Sequence, residues 1–260
     1  MDQRIIEFDK VLNFRDFGGY DGAGGRKIVP GTFYRSAQFG EASPADMDKL
    51  DSLNINVQAD LRRPDERERH GHRWPQDGVH VVLSDKGKPS EAPHVHFMSE
   101  VSVNAEQAEN WMVEYYIGAP YREALVDAYT GWFDALLALN EGAAGVVNCA
   151  AGKDRTGILC ALTHMALGVD REAVFADYEL TNTAANVEAR LPAMAKLFNE
   201  NSGLDYDADV YRPFIGVRPI YLDAALTSIE ARSGSVEAYL ADTLGVSAAK
   251  VDQLRGRYLA

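Results

Sequence analysis

One continuous stretch in the middle of the chain, from Val146 to Gly157, constrains the fold more than any other. It begins with an apolar run, passes through Cys149 into small and basic residues, and is followed by a second apolar segment over residues 158–167. This order is typical of a buried strand, a tight loop that binds an anion, and a buried helix that begins at the loop. The stretch therefore predicts an α/β fold, in which helices flank a central sheet that is mixed or mostly parallel.

The residues that follow Cys149 suit the recognition of a phosphate monoester. Five residues separate Cys149 from Arg155, and the backbone N–H groups of such a loop, with the N-terminus of the next helix, form a positive cradle. Arg155 adds a guanidinium that binds two oxygens at once. The same field favours the thiolate of Cys149, which makes it a nucleophile. The predicted phosphate-binding residues are Ala150, Ala151, Gly152, Lys153, Asp154 and Arg155.

The sequence Cys-x-x-Gly-Lys-Asp-Arg-Thr-Gly over residues 149–157 resembles the phosphate-binding loop of cysteine-dependent protein tyrosine phosphatases. It is similar to the bacterial group typified by mycobacterial tyrosine phosphatase B. Similar segments are spread over nearly the whole chain: residues 12–20, 34–36, 60–62 followed by Pro64 and Glu66, 234–240 and 254–255. The resemblance implies one phosphatase domain over residues 1–260, hydrolysis through a phosphocysteine intermediate, and no cofactor or metal.

Five residues receive catalytic roles. Cys149 attacks the phosphorus, while Arg155 and the loop amides bind the other oxygens. Thr156 would donate a hydrogen bond to the leaving sulfur, as the matching hydroxyl does in the resembling family. The leaving oxygen needs an acid, for which Asp154 and Asp60 are the candidates. For Asp60, a purely structural carboxylate is an equally good interpretation.

Two positions leave alternatives open. The resembling family usually has histidine before the nucleophile, whereas this chain has Asn148, which forms hydrogen bonds but carries no positive charge. Asn148 either preserves the loop with a slightly altered nucleophile, which we favour, or marks a catalytically weakened module that only binds phosphate. Arg35 fits a structural salt bridge and a substrate contact equally well.

Phosphotyrosine in proteins is the first predicted substrate, with dual specificity open. Phosphoinositide is the second, because Lys153 makes the loop resemble that of lipid phosphatases of the tensin type. A sulfurtransferase is disfavoured, because the Arg-Thr-Gly after the loop suits phosphate better. An arsenate reductase is disfavoured too, because its cysteine usually lies near the N-terminus.

Composition narrows the class of partner and the location. A net charge of −13 disfavours nucleic acid as a partner. Two cysteines, Cys149 and Cys160, are too few for a disulfide framework. No apolar run approaches the ~20 residues of a membrane span, and the first residues do not resemble a signal peptide. The cytoplasm is the expected location, with export by another route left open.

The remaining segments give weaker signals. Residues 65–69 form a charge run that predicts a solvated helix face, and residues 84–98 predict a long loop. His94 and His96 have the spacing of metal ligands but lack a third ligand nearby, so no metal site is expected. Within residues 184–215, an amphipathic helix and an acidic, turn-rich segment fit ordinary packing slightly better than a helical lid like that of the mycobacterial relative.

Overall fold

A computed structural model describes residues 2–71, 74, 77–86 and 104–260 of the chain. Its centre is a five-stranded sheet in the order β1-β2-β5-β3-β4. Four strands run parallel, and the edge strand β1 is antiparallel to β2. The predicted α/β fold with a mostly parallel sheet is confirmed. The strands are β1 (Arg15–Asp16), β2 (Phe33–Ser36), β3 (Ile55–Asp60), β4 (His80–Val82) and β5 (Ala144–Asn148).

Helices flank this sheet throughout the described ranges. Short helical turns add to them at Ala23–Gly25 and Ala119–Tyr121, and at Val236–Ala238, which continues into a π-helical turn, Tyr239–Thr243. The longer helices are α1 (Pro44–Asp51), α2 (Pro64–Arg69), α3 (Ala105–Gly118), α4 (Glu123–Ala138), α5 (Asp154–Leu167), α6 (Arg171–Ala184), α7 (Val187–Ser202), α8 (Ala208–Ile215), α9 (Pro219–Ser233) and α10 (Ala248–Tyr258).

Helix α5 is the central helix of the fold, as its apolar sequence predicts. Nearly every residue on it is buried, including Cys160 and His164, both predicted to be core residues. It ends at Gly168, whose left-handed backbone caps the helix. The sequence predicts a start at Gly157, but the helix begins three residues earlier. The candidate residues Asp154, Arg155 and Thr156 therefore lie in its first turn, at the positive end of the helix dipole.

Two predicted segments differ from the structure. Residues 199–210 are predicted as a turn-rich loop, but α7 continues to Ser202 and α8 begins at Ala208. The acidic residue Asp207 is a helix cap, since its carboxylate accepts the backbone N–H of Asp209. A continuous helix predicted over residues 235–244 is instead a short α-helix followed by the π-helical turn.

Some predictions concern residues that the structure does not describe. His94, His96 and most of the predicted loop over residues 84–98 lie outside them. Within the described ranges, no group of three or more histidine, cysteine or acidic side chains is arranged to hold a metal ion. None of the described helices is both long enough and apolar enough to cross a membrane.

Candidate active site

The predicted phosphate loop leaves the C-terminal end of β5 and packs directly against the end of β2. Gly152 has a φ of +64°, a conformation that residues with a side chain rarely adopt. A Cβ atom at this position would lie 2.3 Å from the carbonyl carbon of Ser36. The loop can therefore approach the sheet this closely only with glycine at position 152.

The carbonyl groups of the loop are held from behind. The backbone N–H of Gln38 donates to the carbonyl of Ala150 at 3.2 Å. The side-chain amide of Asn13 donates to the next two carbonyls, those of Ala151 and Gly152, at 3.1 and 2.8 Å. In a trans peptide the N–H group points away from the carbonyl, so the N–H groups of residues 151–153 point the opposite way. None of these N–H groups donates to another part of the described chain.

Arg35 supports the same loop from the sheet. Its guanidinium donates to the Gly152 carbonyl at 3.2 Å and forms a 2.7 Å ion pair with Asp177 of α6. The salt-bridge interpretation of Arg35 is thus confirmed. Burial alone would raise the pKa of Asp177, but Arg15 and Arg35 outweigh it and hold that pKa well below its ordinary value. The carboxylate therefore stays charged.

Cys149 lines a cavity of about 220 Å³ and is only 2% exposed. The hydroxyl of Thr156 is buried and has no hydrogen-bond partner among the described residues. Its donation to the sulfur stays a prediction. Besides Cys149, the cavity is lined by Arg63, Glu66, Met112, Tyr115, Ala150, Ala151, Lys153, Asp154, Arg155, Arg190, Met194, Phe198, Phe214 and Ile215.

Arg155 is oriented by a carboxylate that sequence reasoning missed. Its two terminal nitrogens donate to the two oxygens of Glu66 at 2.6 and 2.9 Å, and one also donates to the Leu61 carbonyl at 2.9 Å. These bonds use three of the five N–H donors. The unused pair, on the Nε–Nη2 edge, fits two oxygens of one phosphate group. Glu66 therefore fixes the direction in which Arg155 presents its free edge.

The prediction of a solvated helix face for residues 65–69 is wrong for Glu66, which is buried. Burial would raise the pKa of Glu66, but its hydrogen bonds and ion pair with Arg155 outweigh that effect and lower it. Burial would lower the pKa of Arg155, but the charge of Cys149, followed by the hydrogen bonds and ion pair with Glu66, outweighs it and raises that pKa well above its ordinary value. A signal existed in the sequence, since Pro64 and Glu66 belong to a segment that resembles the family.

Asp154 lies in the same cavity as Cys149. One carboxylate oxygen accepts a 2.7 Å hydrogen bond from the Tyr116 hydroxyl, which also contacts the Tyr178 hydroxyl at 2.7 Å. Burial and the charge of Asp154 raise the pKa of Tyr116 well above its ordinary value, so Tyr116 remains a neutral donor. The second oxygen of Asp154 receives no hydrogen bond from the described residues and is available to a substrate.

Asp60 has a different environment. It accepts several hydrogen bonds from Arg62, including two of 2.9 and 2.8 Å, and one from Asn148 at 3.3 Å. It lines a neighbouring cavity of about 330 Å³ and does not line the one that holds Cys149. The other side-chain atom of Asn148 accepts from Gln58 at 2.7 Å. The side chain of Asn148 therefore bonds within the sheet, to residues of β3.

Lys153 does not leave its ammonium open to the cavity. The ammonium donates to the carbonyls of Pro213 and Phe214 near the end of α8, at 3.2 and 2.8 Å, and lies 3.5 Å from Asp154. Burial lowers the pKa of Lys153, with Asp154 opposing the shift. The loop is thereby tied to α8.

The sequence matches one family of known proteins over almost its whole length. The model of a family described as "Tyrosine phosphatase family" matches residues 6–260. A candidate tyrosine-protein phosphatase of Cupriavidus necator is 34% identical over 255 residues, which cover 98% of this chain and 88% of that protein. The triple specificity protein phosphatase PtpB of Mycobacterium tuberculosis is 29% identical over 278 residues, covering 97% and 98%. A tyrosine-protein phosphatase of Nostoc commune is 24% identical over 245 residues, covering 88% and 75%.

The pairing of Glu66 with Arg155 predicts that Glu66→Gln weakens the site. Glutamine has the same shape, but its NH₂ group faces an N–H of Arg155 and breaks the bidentate pair. We expect kcat/KM for a phosphate monoester to fall by about tenfold or more, because the guanidinium loses its orientation. Glu68→Gln, two residues away on the exposed face of α2, is the control and should change kcat/KM less than about twofold. Equal effects of the two variants would contradict this role.

Proposed function

Because the chain belongs to the tyrosine phosphatase family, we propose that it removes phosphate from phosphotyrosine in proteins through a phosphocysteine intermediate on Cys149. One observation carries the proposal. Cys149 and Arg155 line the same cavity, the N–H groups of residues 151–153 between them have no partner in the described chain, and Arg155 keeps one edge unused. This arrangement stabilises a dianion and the charge that develops during its transfer.

In the first step, the Cys149 thiolate attacks phosphorus and the bond between phosphorus and the tyrosine oxygen breaks. Asp154 gives its proton to that leaving oxygen. In the second step, water attacks the phosphocysteine and gives a proton to the Asp154 carboxylate. The sulfur–phosphorus bond breaks, which releases inorganic phosphate and restores the thiolate. Thr156 donates a hydrogen bond to the leaving sulfur, and no metal takes part.

The choice of Asp154 over Asp60 as the acid rests on their surroundings. Asp154 lines the cavity of the nucleophile and has an oxygen without a partner among the described residues. Asp60 is engaged by Arg62 and Asn148 beside the neighbouring cavity. We infer that Asp60 is a structural carboxylate.

The cavity favours phosphotyrosine over the shorter phosphoserine. Its walls carry Tyr115, Phe198 and Phe214 together with two methionines, which suit an aromatic ring. The nucleophile is almost fully buried, so a substrate must reach down to it. A thiolate nucleophile also needs a reducing compartment, which supports the cytoplasm as its location.

A phosphoinositide is the second candidate because two further cations line the cavity. Arg63 is already paired with Asp65 and Glu66. Arg190 donates to the Ala185 carbonyl at 3.4 Å and pairs with no carboxylate in the described part of the chain. A second phosphate group on a substrate would fit Arg190.

Within one phosphatase domain over residues 1–260, we infer that α7 and α8 form a lid. Both helices contribute side chains that line the cavity, and they share a small apolar cluster separate from the main core, built on Leu191, Ala195 and Tyr211. The loop holds the lid through Lys153. We expect orthovanadate to slow amide hydrogen exchange across residues 187–215, because a ligand under a lid stabilises its closed form. Exchange that vanadate leaves unchanged in these helices would favour ordinary packing.

Replacing the nucleophile tests the proposed reaction. Cys149→Ser should lose kcat by orders of magnitude on both a phosphotyrosine peptide and a short-chain soluble phosphoinositide, because a hydroxyl cannot replace the thiolate. It should still bind phosphate through the loop. A serine variant with more than about a hundredth of the wild-type rate would exclude the covalent route. In the wild type, kcat/KM should be higher for the peptide, and the reverse order would favour the lipid.

The acid can be assigned from pH profiles. Asp154→Asn should abolish the basic limb of kcat against pH and slow poor leaving groups most, since these need the proton most. Asp60→Asn is the matched comparison and should keep the basic limb. If Asp60→Asn loses the limb and Asp154→Asn keeps it, the two roles are reversed.

A further inference from the structure

A buried polar cluster lies behind the phosphate loop and takes no part in the chemistry just described. We call it the loop clamp and define it as Asn13, Arg15, Arg35, Asp177 and Thr181. All five residues are at most 1% exposed. Such a cluster costs free energy to bury unless its groups are paired. The position of the cluster directly behind the phosphate loop suggests that the free energy of burying it is offset by a role in holding that loop.

The clamp forms a continuous chain of contacts from α6 to the loop. Arg15 donates to the Asp177 carbonyl and to the Thr181 hydroxyl, both at 3.0 Å. It also donates to the side-chain oxygen of Asn13. That bond orients the Asn13 amide, so that its NH₂ group faces the carbonyls of the loop.

Asn13 itself has a backbone conformation that few side chains tolerate. Its φ is +58°, in the left-handed region, where asparagine is one of the few residues other than glycine that occurs regularly. Its amide spans two successive carbonyls, at 3.1 and 2.8 Å. A local hydrogen bond within the turn would satisfy Asn13 equally well, whereas these bonds reach a segment more than 130 positions away in the sequence.

We propose that the loop clamp positions the phosphate loop: Asn13 and Arg35 hold its carbonyl groups, so that its N–H groups face the cavity. These are positioning residues, since they act through the loop and do not touch the substrate. The clamp carries two guanidinium groups and one carboxylate, so it also leaves one uncompensated positive charge behind the anion site. The proposal rests on the phosphate chemistry of the loop proposed above.

The experiment compares two asparagines that share a left-handed backbone and a side-chain bond to a carbonyl, although Asn13 is buried and Asn54 is exposed. Asn54 also has a left-handed backbone, with φ of +51°, and its amide donates to the Gly142 carbonyl at 2.8 Å. It lies before β3 and bonds beside Ala144, at the end of β5 opposite to the loop. Asn13→Ala and Asn54→Ala should both lower the melting temperature, since each removes a side-chain bond to the backbone.

Two readouts separate positioning from stability: the inhibition constant of orthovanadate and the pH dependence of Cys149 alkylation by iodoacetamide. Asn13→Ala should weaken vanadate inhibition by about tenfold or more and shift the alkylation curve to higher pH, because the loop N–H groups no longer favour the thiolate. Asn54→Ala should leave both at wild-type values. Asn13→Asp is a second variant that keeps the side-chain size and the contact with Arg15 but cannot donate. It should behave like Asn13→Ala.

Wild-type vanadate inhibition and alkylation in both Asn13 variants would overturn the proposal and reduce the clamp to a structural role. A wild-type protein that hydrolyses no phosphate monoester would instead contradict the proposed function. In that case the alkylation curves still decide the clamp, because they require no turnover.

Discussion

The structure depends on a simple property of the peptide bond: its N–H and carbonyl groups point in opposite directions. A loop can offer several N–H groups to an anion only if its carbonyls find donors on the other side. Here those donors are the backbone of Gln38, the amide of Asn13 and the guanidinium of Arg35. They come from residues 13–38, so the first part of the chain builds the back of the proposed phosphate site, whose front lies at residues 149–155. In the same loop, Gly152 has a positive φ and packs closely against the backbone of Ser36.

The charged groups around the loop are also held in place by partners on their far side. The chain is acidic overall, with a net charge of −13, yet three guanidinium groups lie behind or beside the loop, and each of these three is paired with a carboxylate. Asp177 holds Arg15 and Arg35 behind the loop, and Glu66 holds Arg155 beside it. A carboxylate lowers the net positive charge, but it fixes the direction of the remaining N–H donors and offsets the cost of burying a cation. The acidic surface and the locally positive site are therefore compatible.

The sequence predicts the parts of the site that are contiguous. The strand, loop and helix over residues 146–167 follow from apolar patterning and from the spacing between Cys149 and Arg155. Glu66 was missed because a charge run near a helix start appears solvated until the fold brings Arg155 onto it. The proposal of Asp154 rather than Asp60 as the acid also rests on the fold. Asp60 ends β3 and Asp154 follows β5, so the sequence places both residues at the same edge of the sheet. Asp154 is bonded by Tyr116, and Asp60 is bonded by Arg62. Of these two pairs, the one with Tyr116 joins residues far apart in the sequence and is visible only in the fold.

A crystal structure of the chain with orthovanadate tests the central claim most directly. The account predicts vanadium at the sulfur of Cys149, with its oxygens within hydrogen-bond distance of the N–H groups of residues 150–155 and of the free edge of Arg155. Asn13 and Arg35 should keep their bonds to the loop carbonyls. An anion bound elsewhere, or a loop whose carbonyls turn toward the cavity, would contradict the account.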